Sequence, residues 1–168
     1  MPLPTLITKH LKLVPLTHAD ADTVVEMFAD PAMSTYMSID FSVEANGRAM
    51  VERRLAHSDD KLGHWTVTEK GETVGLVHLR PSFELPASLI EIGWYTATSR
   101  AGRGLAQEAA AALLRYGQGL GLPAIWAVVD PRNAASLAVA HKLGFLHVGE
   151  GHHYGALHDV MVLLNERR

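Results

Sequence analysis

The stretch Thr96-Ala97-Thr98-Ser99-Arg100-Ala101-Gly102-Arg103-Gly104-Leu105-Ala106 decides how the chain reads. It follows a β-rich run, Leu89–Thr96 (LIEIGWYT), and leads into an Ala- and Leu-rich run from about Gly104 to Gln118 with the composition of a helix. Two glycines at i and i+2 let the backbone turn tightly and approach a ligand with no Cβ in the way. The free N–H groups at the start of the helix favour an anion, and Arg100 and Arg103 bring positive charge to the same place. Together these features suit a phosphate-binding turn, although a tight connector flanked by solvated arginines has the same residues. A dinucleotide-binding fingerprint fits poorly. Gln107 stands where the third glycine of G-x-G-x-x-G belongs, and the chain lacks the alternating β-α-β opening of that fold.

Working outward, Leu6–Leu16 reads as a strand with Leu11 and Leu13 on one face, and Pro15 marks an edge or an end. Thr17 and Asp20 form an imperfect capping box for a helix carrying Ala21, Val24, Val25 and Phe28, which stops before Pro31. Ser42 caps a second helix to about His57, with Ala45, Ala49 and Leu55 inward. His64–Lys70 and Thr73–Arg80 form a hairpin about Lys70-Gly71-Glu72. Pro81–Ser88 is loop. Gly119, Gly121 and Pro123 end the central helix. Ala124–Asp130 (AIWAVVD) is nearly all apolar, as a strand buried on both faces should be. Asn133–Leu143 is a short helix closed by Gly144, and Phe145–Glu150 and Leu157–Asn165 are the last strands. The order β-α-α-β-β-β-α-β-α-β-β predicts an α/β (α+β) chain with a mixed sheet, helices on both faces and one domain over residues 6–165.

Composition narrows the function. The 168 residues carry 48% hydrophobic and 20% charged side chains with a net charge of -3, which suits a soluble globular protein and not a global basic field for nucleic acid. No cysteine is present, which removes disulfides and Cys-based metal sites and is compatible with a reducing cytoplasm. The opening residues show no secretion signal, and no apolar run is long enough to span a membrane. Ten histidines bring metals to mind, but none sits in a convincing ligand spacing. No metal, nucleic acid or membrane partner is therefore expected.

The run Arg100-Ala-Gly-Arg-Gly-Leu-Ala-Gln-Glu-Ala109 resembles the acetyl-CoA-binding turn of the GCN5-related N-acetyltransferases (GNAT). Further matches follow in order: Leu11-Lys-Leu-Val-Pro-Leu16, Glu91-Ile-Gly-Trp94, Asp130-Pro-Arg-Asn133-Ala-Ala-Ser136 and His141-Lys-Leu-Gly-Phe145. They are similar to the RimJ/RimL type of ribosomal-protein N-terminal acetyltransferase, over about residues 6–165. In one place the chain departs: the Gln/Arg slot of the family's turn falls on Ala101, with Arg100 one position early. The resemblance implies a mostly antiparallel, twisted sheet of about seven strands whose central strands splay. It also implies acetyl-CoA as co-substrate and an amine as acceptor, and it admits a homodimer.

Site roles follow from the same resemblance. The backbone from Gly102 to Ala106, Leu105 included, would hold the pyrophosphate, with Arg100 and Arg103 in reach of phosphates. The pantetheine arm would lie along Tyr95 and Thr96. Asn133 would bond pantetheine or cap its helix. Ser136 would give a proton to the leaving thiolate; its other reading is a small helix-surface residue. Glu91, between Ile90 and Ile92 in a covered strand, would take the amine proton through a water, or else form a salt bridge within the sheet. Glu150, His152, His153 and Tyr154 would flank the acceptor, as would His158.

The implied reaction is direct attack of a neutral amine on the thioester, with no acyl-enzyme. An α-amine titrates at about 7.7–8.0 and a lysine at about 10.4, a gap of roughly 3.5 kcal/mol. A site with no evident strong base therefore suits a protein or peptide N-terminus. Small amines such as amino acids, polyamines or drugs are the rival acceptors, and an acidic pocket lining would point to polyamines. A non-catalytic acyl-CoA-binding module is the remaining reading. It predicts no change on Glu91→Gln or Ser136→Ala.

Overall fold

The computed structural model describes residues 2–86 and 88–166. It contains eight strands and four α-helices: β1 (Leu6–Ile7), β2 (Lys12–Pro15), α1 (Ala21–Ala29), α2 (Glu44–Ala56), β3 (Gly63–Glu69), β4 (Glu72–Pro81), β5 (Ile90–Thr96), α3 (Leu105–Gly119), β6 (Ala124–Val129), α4 (Ala134–Lys142), β7 (Leu146–His153) and β8 (Ala156–Leu164). One sheet runs β1-β2-β3-β4-β5-β6-β8-β7. All neighbours are antiparallel except β5 and β6.

That exception shapes the molecule. β4 and β5 pair without interruption from Gly75↔Thr96 to Pro81↔Ile90. β6 and β8 pair from Ala124↔Leu164 to Val129↔Asp159. Between β5 and β6 the only register pair is Glu91↔Trp126. Beyond it the two strands diverge toward their C-terminal ends, so the expected splay is present.

Alternation along β4 and β5 sorts the two faces. Val77, Leu79, Ile92 and Trp94 point into a core under α3 and α4, with Leu113, Ala110 and Ala140. Leu76 and Tyr95 point the other way, toward Val24, Phe28 and Met50 of α1 and α2. His78, Arg80, Glu91 and Gly93 share this second face, in the cross-strand pairs His78↔Gly93 and Arg80↔Glu91. The first core runs unbroken beneath both halves of the sheet. Gly117 of α3 sits over the seam: a Cβ there would stand 2.8 Å from Ile125 of β6 and 3.0 Å from Leu79 of β4.

Three expectations need correction. The strand over Leu6–Leu16 is two strands, a small hairpin with Leu6 opposite Leu13. Its turn is held by Glu108 of α3, whose carboxylate accepts from Thr8 Oγ1 at 2.5 Å and from the His10 N–H at 2.9 Å. In α2 the inward residues are Gly47, Met50 and Val51; Ala45 and Ala49 are exposed. Gly47 sets that face because a Cβ there would already lie 3.3 Å from Val25 of α1. In β6 only Ile125, Ala127 and Val129 are buried, because the fork leaves the other face open. The Lys70-Gly71 hairpin is as expected: both residues have positive φ, 50° and 82°, which matches the twist of the flanking strands.

Candidate active site at the strand fork

A cleft of about 290 Å³ opens where β5 and β6 part. One wall is the strand ends, Ile92–Tyr95 and Ala127–Asp130, with Asn133 and Ser136 beyond them. The opposite wall is α2, through Met50, Arg53 and Arg54, and the segment between α1 and α2.

Glu91 lies at the apex of the fork and is 4% exposed. Its carboxylate accepts two short bonds: Ser82 Oγ donates to Oε2 at 2.6 Å, and the Tyr154 hydroxyl donates to Oε1 at 2.8 Å. Bonds of this kind fix a carboxylate in direction. The Tyr154 phenol is pushed above its ordinary range, first by burial and then by the charge of Glu91. It therefore stays protonated and acts as a donor. Tyr154 itself sits at φ 52° in the turn before Gly155, which costs a bulky residue roughly 1–2 kcal/mol. In this conformation its hydroxyl lies on Glu91. The loop carrying Ser82 is tied to the same turn, since the Tyr154 N–H donates to Glu84 Oε1 at 2.9 Å.

Beside Glu91 lies a layer of cations and imidazoles. Arg80, 6% exposed, stacks over Phe83 at 4.1 Å, and its Nη2 is 3.5 Å from the Tyr154 hydroxyl. The Arg54 guanidinium lies 5.3 Å from the Tyr95 ring centre, with Nη1 3.4 Å from His78 Nδ1. His64 and His78 are both buried. Burial, followed by the charges of Arg54 and Arg80, lowers His64 to about 2. His78 is held far below its ordinary value by burial and then by Arg80. Both rings are therefore neutral. Because a guanidinium only donates, His78 carries its proton on Nε2. That atom is buried without a partner among the described residues, and it packs so closely on Gly93 that a Cβ there would stand 2.6 Å away.

The glycine turn lies outside this cleft. Gly102 and Gly104 have φ of 78° and 75°, and nothing lies within 4 Å of where a Cβ would stand. The first hydrogen bond of α3 is Glu108 N–H to Gly104 O, 3.1 Å, so the N–H groups of Leu105, Ala106 and Gln107 have no acceptor within the helix. A bare, left-handed backbone with free donors fits a pyrophosphate. The two arginines are engaged elsewhere. Arg103 bonds both oxygens of Glu69, at 2.9 and 2.8 Å. Arg100 bonds Glu69 at 3.0 Å and also Glu72. Ala101, in the Gln/Arg slot, ends a short 3₁₀ turn with its N–H on Thr98 O.

Tyr95, Asn133, Ser136, Tyr154 and Glu91 all line the cleft. Asn133 caps α4, its Oδ1 accepting from the Ser136 N–H at 3.1 Å. Thr96 ends β5 at the mouth of the fork. His152 is exposed, and His153 is turned toward Glu84 at 3.5 Å; neither is among the lining residues, whereas His158 is. Sequence reasoning missed Arg54, His64, His78, Arg80 and Ser82. A signal existed for two of them: His78 and Arg80 alternate with Val77 and Leu79 in a strand whose neighbours are apolar.

The profile of the acetyltransferase (GNAT) domain family matches residues 10–146. An "Uncharacterized N-acetyltransferase p20" of Bacillus licheniformis is 29% identical over 146 residues, 84% of this chain and 82% of that protein. Among solved structures, the acetyltransferase from Agrobacterium tumefaciens str. C58 superposes with a TM-score of 0.82 at 27% identity, covering 97% of this chain and 95% of the other. Mycobacterium smegmatis RimJ in complex with CoA-disulfide gives 0.75 at 22%, covering 92% and 81%.

Proposed function

The chain belongs to the acetyltransferase (GNAT) family, and from that premise we propose that it acetylates the α-amine of a protein or peptide N-terminus by direct attack on acetyl-CoA. It is an acetyl-CoA-dependent N-acetyltransferase. The proposed domain is residues 6–165, acting in the cytoplasm. The observation that carries the reading is the fork: one parallel pair, Glu91↔Trp126, then a gap that leads from the strand ends to a buried, doubly hydrogen-bonded carboxylate.

The backbone N–H groups from Gly102 to Ala106 hold the pyrophosphate, and the open edge of β5 at Tyr95 and Thr96 receives the pantetheine amides as a neighbouring strand would. When bound, acetyl-CoA supplies an activated acetyl thioester. Glu91, oriented by Ser82 and Tyr154, accepts the proton that the amine loses as its nitrogen bonds to the acetyl carbon. A water bridges the distance. Ser136, half-buried in the same cleft, gives a proton to the sulfur as the C–S bond breaks. Glu91 and Ser136 then re-equilibrate with solvent, so the net change is amine plus thioester to amide plus thiol. No metal-binding residue takes part in these steps.

Titration calorimetry with acetyl-CoA, with NAD as the control, followed by thiol release with free and N-terminally blocked lysine-containing peptides, tests the proposal. Binding of acetyl-CoA alone and acetylation of the α-amine are expected. Acetylation confined to lysine side chains or polyamines, or no turnover, would overturn it.

A further inference from the structure

We propose that the acceptor carries a carboxylate next to its α-amine, and that Arg54 and Arg80 bind that carboxylate while Glu91 handles the amine. The inference rests on the N-terminal acetyltransferase reading and narrows its substrate class to peptides with an acidic first residue.

The first observation is a contrast among the arginines. Arg48, Arg100, Arg103 and Arg132 each lie within 3.0 Å of a carboxylate. Arg53, Arg54 and Arg80, all facing the cleft, make no salt bridge among the described residues. Yet Arg80 is the most buried of these three and Arg54 is half-buried. Burying a guanidinium is costly unless an anion meets it; Glu91 reaches Arg80 only through the Tyr154 hydroxyl, so the cleft holds more guanidinium groups than directly paired carboxylates.

The second observation concerns the other groups of the lining. Asp130 is already occupied by Arg132, with bonds of 3.0 and 2.7 Å. His64 and His78 are neutral and offer no charge of either sign. Glu91 is therefore the sole cleft carboxylate, among the described residues, open to an amine. The local balance is positive in a chain whose net charge is -3. A polyamine would meet three arginines and one carboxylate, and would be repelled.

The third observation is spacing. Arg80 and Glu91 are direct cross-strand partners, joined through the Tyr154 hydroxyl. An amine at Glu91 therefore places the next group of the same residue beside Arg80, with Arg54 of α2 in the same cleft and His78 on the same strand face. A carboxylate suits the planar fork of arginine, which binds it through two parallel bonds. Its source is either the side chain of an N-terminal Asp or Glu, to which the proposal commits, or the α-carboxylate of a free amino acid.

The test is kcat/KM by thiol release for peptides that differ only in their first residue, Asp against Asn and Glu against Gln, alongside free amino acids and their amides. The acidic peptides should be favoured by roughly 10- to 100-fold. Arg80→Gln should remove most of that preference, read as the ratio of kcat/KM for the Asp peptide to that for the Asn peptide. Should Arg80→Gln not fold, Arg54→Lys serves instead: it keeps the charge, loses the fork and should lower the preference to an intermediate value. Equal turnover of Asp and Asn peptides, or a preference that survives the substitutions, overturns the inference and leaves N-terminal acetylation standing. Free amino acids favoured over both their amides and the peptides would support the carboxylate site and overturn the protein N-terminus. No turnover of any amine overturns both.

Discussion

The glycine turn and the cleft solve opposite problems. The turn is eleven consecutive residues, open to solvent at Thr98, Ser99 and residues 101–104, built from backbone, and its arginines are neutralised by Glu69 and Glu72. The cleft is assembled from the α1–α2 segment, α2, β3, β4, the β4–β5 loop, β5, β6, α4, the β7–β8 turn and β8. It is built from side chains, and its arginines make no direct salt bridge among the described residues. A site that recognises a constant group can be local and written in backbone. A site that selects among acceptors draws on distant segments, each free to change alone. The turn's N–H groups are indifferent to which side chains surround them, whereas the cleft depends on each residue it gathers.

The comparison breaks most cleanly at Glu91. Glu91→Gln should lower kcat by about 10²–10⁴-fold while acetyl-CoA binding, measured by calorimetry, stays the same. Loss of binding together with turnover would mean that the two regions are not separable. Gly104→Val should do the reverse. The space for the side chain is open, so the cost is the backbone at φ 75°. That strain of roughly 1–2 kcal/mol should weaken acetyl-CoA about tenfold, with kcat at saturation little changed.

The smallest effect is one of pH, and it belongs to the cleft alone. Above about pH 6.5 neither the folded nor the unfolded chain protonates His64 or His78. Below it the unfolded chain takes up protons that the buried rings refuse, since His64 titrates only at about 2 when folded. Stability is thus full above the unfolded value and falls as pH drops, by up to about 1.4 kcal/mol per pH unit for each ring. Denaturant titrations over about pH 6 to 5 should show this slope, and His64→Gln should reduce it. A slope unaffected by the substitution would place the titrating group elsewhere.

The same contrast explains what was legible in the sequence. Gly102, Gly104 and the hairpin at Lys70-Gly71 were readable because a local backbone requirement fixes the residue type. Glu91 was readable because a carboxylate between Ile90 and Ile92 conflicts with its covered strand. Ala45 and Ala49 were misplaced because α2 turns on Gly47, whose role is to let α1 come close, and periodicity gives a glycine no such weight. Arg54 and Arg80 went unnoticed because an arginine in a helix or a strand reads as solvated until tertiary structure brings it to a cleft where no carboxylate pairs with it directly. Ser82 is a loop residue whose meaning depends entirely on where Glu91 points.

Gly117 carries a consequence for cooperativity. The two half-sheets, β1–β5 and β6–β8, share a single rung of backbone pairing, so the ladder alone would let them open as separate units. What binds them is the undivided apolar core under α3, where a missing side chain at Gly117 lets Leu79 and Ile125 meet the helix from opposite sides of the seam. The unity of the fold is thus a matter of close packing and apolar burial, while the hydrogen bonds left unmade along the fork stay free for a guest. The protein keeps a hole in its sheet and remains one piece because the joint is made on the other face.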